Sequence, residues 1–325
     1  MNASSISWPC AALRQAELSP RTTMRVGGRA EWLLEPATPE ELCQAVAAVR
    51  EHGLRLRVLG GGANLLICDG LLEGCVIATS RLRRVFRPAG GDGGDPHELA
   101  EASGRVAPAP LEEDPRLVAW CGATLQGLVR RAQELGLSGL EMLAGVPGHL
   151  GGGVAMNAGG RLGWMWDVVE RVRVLGGDGA VVDLAREECA PAYRDGNLGG
   201  RIVVSAVLRL EVDHPSLVRE RTREVLLAKN AVQPVVEASS GCIFKNPDPE
   251  ISEGRTAGQL VDACGLKGLS RGAALVSPLH GNFIVNRGGA SAEDVFGLIA
   301  DVRERVAEAT GIELGTEVQR WRNGD

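Results

Sequence analysis

Hydrophobic positions in this 325-residue chain fall into short runs, some at helical and some at strand spacing, broken by glycine and proline. Thr38-Pro39-Glu40-Glu41 has capping-box spacing with proline at the first helical position. Leu42, Val46 and Val49 follow on one helical face, and Gly53 supplies the stop. Arg55 to Leu59, Val76 to Thr79 and Leu117 to Cys121 read as strands, and Thr124 to Leu135 as a helix ending at Gly136. Arg171 to Leu175 and Ala180 to Leu184 flank Gly176-Gly177-Asp178-Gly179, a hairpin pattern, and Val203 to Val212 alternates. Ser216 to Lys229 predicts a charged amphipathic helix. Ser291 opens another, with Val295, Ile299, Val302 and Val306 on one face and Gly311 after its end. Between them Ala273 to Val276 and Asn282 to Val285 read as strands.

These elements predict an α+β protein with an N-terminal extension over 1–22 and organised regions over 23–86, 117–213 and 214–325. From Arg87 to Arg116 the composition turns to Gly, Pro and Asp, which bury little apolar surface, and a mobile surface insertion is expected there.

Composition narrows the class. A hydrophobic content of 44% with 23% charged residues is ordinary for a globular protein. A formal charge of −6 with no Lys/Arg run argues against a nucleic-acid partner. The cysteines (10, 43, 68, 75, 121, 189, 242 and 264) include no Cys-x-x-Cys pair, and the histidines are equally dispersed. This predicts free thiols in a reducing cytoplasm and no metal site. No signal peptide and no apolar run of bilayer-spanning length is expected.

Two glycine-rich stretches change the picture. Leu59-Gly60-Gly61-Gly62-Ala63-Asn64-Leu65 follows a predicted strand, and Gly145 to Gly160 holds seven glycines in sixteen residues. Consecutive N–H groups in such turns make concave anion sites, and two of them suit a dinucleotide held at both ends. Each by itself also fits a tight connection in a compact fold.

Outside these loops three places carry candidate chemistry. Ser239-Ser240-Gly241-Cys242-Ile243-Phe244-Lys245-Asn246-Pro247 packs a thiol, two hydroxyls, an ammonium and an amide together. A cysteine so placed is ordinarily a small buried hydrophobe. Tyr193-Arg194-Asp195 contains the sole tyrosine, and its plain alternative is a surface ion pair. Glu317 is either a solvated strand position or a catalytic carboxylate. Lys267, in Gly265-Leu266-Lys267-Gly268, and His280, near Asn282, are weaker candidates. Trp164 and Trp166, beside Gly159-Gly160, suit ring stacking or core packing.

The ordered set of motifs, from Gly60-Gly61-Gly62-Ala63-Asn64-Leu65-Leu66 to Glu317-Val318, resembles the UDP-N-acetylenolpyruvoylglucosamine reductase family. The set includes Gly145-Val146-Pro147-Gly148-x-Leu150-Gly151-Gly152-x-Val154-x-Met156-Asn157-Ala158-Gly159, Tyr193-Arg194-Asp195 and Ser240-Gly241-Cys242-Ile243-Phe244-Lys245-Asn246-Pro247. Gly265-Leu266-Lys267-Gly268 and His280-x-Asn282-Phe283-Ile284-Val285-Asn286 complete it, so that it covers about Thr23 to Arg320 apart from the insertion.

The resemblance implies an FAD domain of the vanillyl-alcohol-oxidase and p-cresol-methylhydroxylase type followed by a substrate domain, in the family's shorter, second type. It implies FAD held without a covalent bond, because Ala63 and Asn64 stand where some relatives of this fold carry a linking histidine. The implied co-substrate is NADPH, the substrate UDP-N-acetylglucosamine enolpyruvate, and the product UDP-N-acetylmuramate for peptidoglycan. A monomer without nucleic-acid or membrane partners is expected. Leu59 to Leu65, Gly145, Pro147, Gly148, Gly151, Gly152, Asn157, Ala158 and Gly159 fall on cofactor positions. The family's acid–base position falls on Cys242, where serine is usual. Arg194 and Glu317 fall on groups that polarise the substrate carboxylate, and Tyr193, Lys245, Asn246, Lys267 and His280 on substrate positions. The Tyr-Arg-Asp motif departs at Gly196, where serine is usual. The competing readings are a sugar or lactone oxidase of the same flavin fold and an inactive nucleotide-binding homologue.

Overall fold

The computed structural model describes residues 6–89, 95–97 and 108–324. Their contacts divide the chain into two units. The first comprises Met1–Ala12, Leu33–Gly61 and Cys75–Leu227, and the second Leu13–Trp32, Gly62–Gly74 and Ala228–Asp325. Residues 23–86 therefore contribute to both. The last border falls within the helix Pro215–Asn230, not between residues 213 and 214. Composition marks where the chain leaves an element, whereas a unit is defined by which core its side chains join.

In the first unit, helix α1 (Pro39–Glu51) starts at Thr38, whose hydroxyl accepts from the Glu41 amide at 3.2 Å. The Glu41 carboxylate reaches back to the Ala37 amide at 2.7 Å, one residue before the cap that the motif predicts. Leu42, Ala45, Val46 and Val49 are buried, and His52 ends the helix. Strand β1 (Leu56–Leu59) pairs in parallel with the Cys75–Ala78 end of β2 (Leu71–Ala78) and delivers the first glycine turn.

Strands β3 (Arg116–Trp120), β4 (Val169–Leu175), β5 (Val181–Ala185) and β6 (Ile202–Arg209) form an antiparallel sheet in the order β5-β4-β6-β3, with Val85–Phe86 at its edge. The β4–β5 hairpin follows its glycine signature. Val203 to Leu208 are all buried, so β6 is covered on both faces. The alternation read through Val212 breaks there, because Glu211–Val212 leaves to pair with Leu137–Ser138. Helix α2 (Leu125–Leu135) is capped by Thr124 and closed by Gly136, and the short helix α3 (Leu150–Ala155) lies within the second glycine stretch.

Of the insertion read over 87–116, residues 90–94 and 98–107 lie outside the described residues. The described Asp95–His97 segment docks on the sheet. Registers Arg173↔Asp183 and Arg173↔Ser205 set those side chains in a row. His97 is only 6% exposed and meets the Ser205 hydroxyl at 2.7 Å, while Arg173 bridges Asp183 at 2.8 Å and Asp95 at 2.7 Å.

The second unit is built on helix α6 (Ala292–Thr310), whose Val295, Ile299, Val302 and Val306 enter a core with Met24, Leu66, Ile243, Phe244 and Leu260. Ser291 and Asp294 close a reciprocal capping box at its start. Strands β7 (Ala238–Cys242), β8 (Ala274–Val276) and β9 (Phe283–Asn286) lie in the order β7-β9-β8, all antiparallel. Gln319–Trp321 pairs in parallel with Leu65–Ile67. That pairing carries the C-terminal Thr316-Glu317-Val318 motif back to Asn64.

Candidate active site

In the first unit the two glycine stretches pack together. A Cβ on Gly61 would lie 2.7 Å from the Gly148 Cα and 3.1 Å from the His149 ring, so only glycine permits this approach. Among the described residues, no backbone carbonyl accepts from the amides of Gly60, Gly61, Gly148 or His149. Gly152 faces open space. In the second unit the amides of Gly62, Ala63 and Asn64 are likewise unclaimed among the described residues, while the Gly62 carbonyl accepts from the Thr23 amide and hydroxyl. Rigid turns whose carbonyls are held and whose N–H groups are open suit a diphosphate.

Asn157 and Gly159, read as cofactor residues, have other partners. The Asn157 amide donates to the Ala192 carbonyl at 3.0 Å and its oxygen accepts from the Trp166 amide. The Gly159 carbonyl accepts from Arg194 at 3.0 Å, and the Gly196 amide donates to Ala155 at 2.8 Å. The second glycine stretch and the Tyr-Arg-Asp loop are thus stitched at three points. Arg194 sits in the left-handed region at φ 57°. A Cβ on Gly196 would stand 2.3 Å from the Val154 carbonyl oxygen, so the loop approaches more closely there than a side chain allows.

In the second unit Cys242 ends β7 opposite Phe283, past a bulge at Gly241 with φ 76°. The next carbonyl, that of Ile243, accepts from the Glu317 amide at 2.7 Å. Lys245 donates its amide to Gly315 at 2.9 Å, and the Asn64 side chain donates to the Glu317 carbonyl at 3.2 Å. Cys242, Lys245 and Glu317 are therefore brought together on adjoining backbone. Cys242 is half-buried and Glu317 is 8% exposed. Asn282 fixes this corner by bonding both the amide and the carbonyl of Phe244 at 2.8 Å.

Asn246, Lys267 and His280 gather around helix α5 (Ala257–Ala263). Asn246 accepts from the Ala257 amide at 3.1 Å, Lys267 pairs with Asp262 at 2.7 Å, and a Cβ on Gly258 would touch the His280 ring. Burial, with Lys267 nearby, lowers the His280 pKa below the ordinary histidine value. Tyr193 is exposed and packs edge-on against Trp164.

Two residues escaped the sequence reading. Burial pushes the Lys229 ammonium down to about 8, although its position in a charged helix signals only a solvated cation. His149 occupies the unspecified position of its motif, and its Nδ1 is buried with no hydrogen-bond partner among the described residues. Burial holds its ring below the ordinary value. No cluster able to hold a metal ion occurs among the described residues.

Residues 30–92 and 109–185 match the FAD binding domain, a span that includes both glycine turns. The fold and its turns define an FAD-containing oxidoreductase. The skipped residues fall within the insertion of this chain. Residues 233–321 match the C-terminal domain of UDP-N-acetylenolpyruvoylglucosamine reductase. The chain belongs to the UDP-N-acetylenolpyruvoylglucosamine reductase family. It is 37% identical over 313 residues to the reductase of Moorella thermoacetica, covering 96% of this chain and 94% of that protein. It is 41% identical over 308 residues to that of Anaeromyxobacter dehalogenans strain 2CP-C, covering 94% and 84%. Among solved structures, the Thermus caldophilus reductase superimposes with a TM-score of 0.74 at 35% identity, covering 96% of this chain and 98% of the other.

Proposed function

We propose that this protein reduces UDP-N-acetylglucosamine enolpyruvate to UDP-N-acetylmuramate with NADPH, for peptidoglycan synthesis, and that Cys242 is the proton donor. The observation that carries the reading is the Ile243 carbonyl, which joins the backbone beside the Cys242 thiol to the amide of Glu317 at 2.7 Å. FAD, held by the amides of Gly60, Gly61, Gly148 and His149 in the first unit, would supply the hydride taken from NADPH.

The rest of the chemistry belongs to side chains. Hydride addition to the terminal vinyl carbon of the enolpyruvyl ether breaks its π bond and puts an electron pair on the adjacent carbon and its carboxylate. Arg194 is permanently cationic and planar, so its attraction grows as that carboxylate gains charge. A thiol is protonated at neutral pH, and Cys242 passes its proton to the carbanionic carbon, taking it back from solvent after product leaves. Glu317 carries a proton when the substrate is bound, because a bare carboxylate there would repel the enolate. Tyr193, Lys245, Asn246, Lys267 and His280 contact the substrate, and 214–325 acts as the substrate domain. The protein works as a monomer in the cytoplasm, and light scattering giving the mass of one chain checks the monomer. No described helix is long and apolar enough to cross a membrane.

Anaerobic absorbance of the flavin band tests this directly. NADPH should bleach it and the enolpyruvyl substrate should restore it. Cys242→Ala should bleach normally and fail to recover, whereas Cys242→Ser should recover. Normal recovery in Cys242→Ala overturns the proton-donor assignment. Glu317→Gln should change the pH dependence of recovery, and an unchanged profile removes the protonated-Glu317 step.

A further inference from the structure

Trp164 lies beside Arg194 and has no part in the proposed reaction. Its neighbour Trp166 is fully buried and donates its ring N–H to the Val154 carbonyl at 2.9 Å, which makes it a core residue. Trp164 is only partly buried and faces a charge. The Arg194 guanidinium carbon lies 5.3 Å from the Trp164 ring centroid and 5.6 Å from that of Tyr193. The two rings meet edge to face, with centroids 5.7 Å apart and planes at 88°. They form two walls of a corner that holds the cation.

The backbone fixes that corner. Trp164 pairs with Gly159 in a two-residue antiparallel ribbon, and the Gly159 carbonyl is the acceptor for Arg194 at 3.0 Å. The ring and the carbonyl that hold the guanidinium are therefore cross-strand partners. A Cβ on Gly159 would stand 2.6 Å from the Trp164 Cα, so the ribbon closes only on glycine. The Asp167 carboxylate accepts from the Trp164 amide at 2.7 Å and secures the start of the next turn. Arg194 itself has a long, flexible side chain on a left-handed backbone, and these partners help to set its direction.

We infer that Trp164 is a positioning residue for the reductive step, holding the Arg194 guanidinium by a cation–π contact so that it faces the substrate carboxylate without searching for it. The inference rests on the proposed role of Arg194. A guanidinium favours the face of an indole, and a group misplaced by about an ångström loses much of its catalytic effect. A leucine keeps an apolar side chain there and removes the π face.

The test separates the two half-reactions by anaerobic stopped-flow. In Trp164→Leu, flavin reoxidation at saturating substrate should slow by about tenfold, while NADPH reduces the flavin within about twofold of the normal rate. Trp164→Phe keeps a π face and should restore most of the loss. In the Arg194→Ala background, Trp164→Leu should add nothing further, because its effect passes through the arginine. Unchanged thermal midpoint and flavin spectrum in Trp164→Phe keep the comparison valid if Trp164→Leu folds poorly. If Arg194→Ala reoxidises slowly and Trp164→Leu normally, the inference fails and the role of Arg194 stands. If Arg194→Ala reoxidises normally, the role of Arg194 fails. A Trp164→Leu effect that adds fully to Arg194→Ala, or that slows NADPH reduction equally, makes Trp164 something other than a positioning residue for Arg194 and overturns the inference.

Discussion

A missing methyl group at Gly196 decides the geometry of the loop that carries Arg194. Its Cβ would meet the Val154 carbonyl at 2.3 Å, and that carbonyl already accepts from the Trp166 ring. Glycine at this position is thus a local packing solution, in which loop and carbonyl approach more closely than a side chain allows. Gly196→Ser should cost about 1–3 kcal/mol by overpacking and should slow flavin reoxidation more than flavin reduction. Thermal unfolding and the two half-reactions check this. A stable variant with normal reoxidation would show that the loop has room to shift. Asn157 teaches the converse lesson. Its motif marks it as a cofactor residue, yet its side chain spans Ala192 and Trp166. Sequence pattern identified the residue, and the tertiary structure adds these two partners.

At the scale of elements, the long helices were legible because their caps and periods are local, whereas the short helices Leu150–Ala155 and Ala257–Ala263 were not read. Thr38, Thr124 and Ser291 each accept from a first-turn amide, as their positions predict. Gly136 and Gly311 close two of these helices in left-handed conformations. The docking of Asp95–His97 was not legible, since a Gly/Pro/Asp-rich context announces a solvated surface. Four charged groups surround His97: Arg173, Asp183, Asp95 and Arg171. Burial, aided by Arg173, outweighs the two carboxylates and lowers its pKa from 6.5 to about 4. Because the folded value is depressed, the neutral ring supports docking above the unfolded value near 6.5, and this support is lost as pH falls toward 4. The loss is on the order of 3 kcal/mol. The thermal midpoint of the wild-type protein should therefore fall toward that of His97→Gln between pH 7 and 4.5. A gap that stays constant over this range would show that His97 does not titrate on unfolding.

At the scale of the whole molecule, the cofactor is part of the folded state. FAD binds the folded chain and not the unfolded one, so its removal should lower the thermal midpoint, and its return should restore it by mass action, worth about 2.7 kcal/mol at a hundredfold excess over Kd. Gly61→Ala places a Cβ against Gly148 and should purify with a reduced flavin-to-protein absorbance ratio. Its midpoint should respond weakly to added FAD. Full flavin content in that variant would mean that the two glycine stretches tolerate separation.

The sequence alone determined the long helices and a set of the strands, the two glycine stretches, the family and the roster of candidate side chains. These follow from local rules: periodicity, caps, turn residues and motif order are written into neighbouring positions. The tertiary structure decided which core each segment joins, with residues 23–86 serving both units and the last border lying inside a helix. It also decided the company each reactive group keeps: Cys242 beside Glu317 through one carbonyl, Arg194 between two aromatic rings, and Lys229 and His149 in surroundings that disfavour charge. Burial and partnership arise from residues far apart in the chain. No local pattern encodes them, because desolvation and hydrogen-bond geometry exist only once the chain has closed on itself.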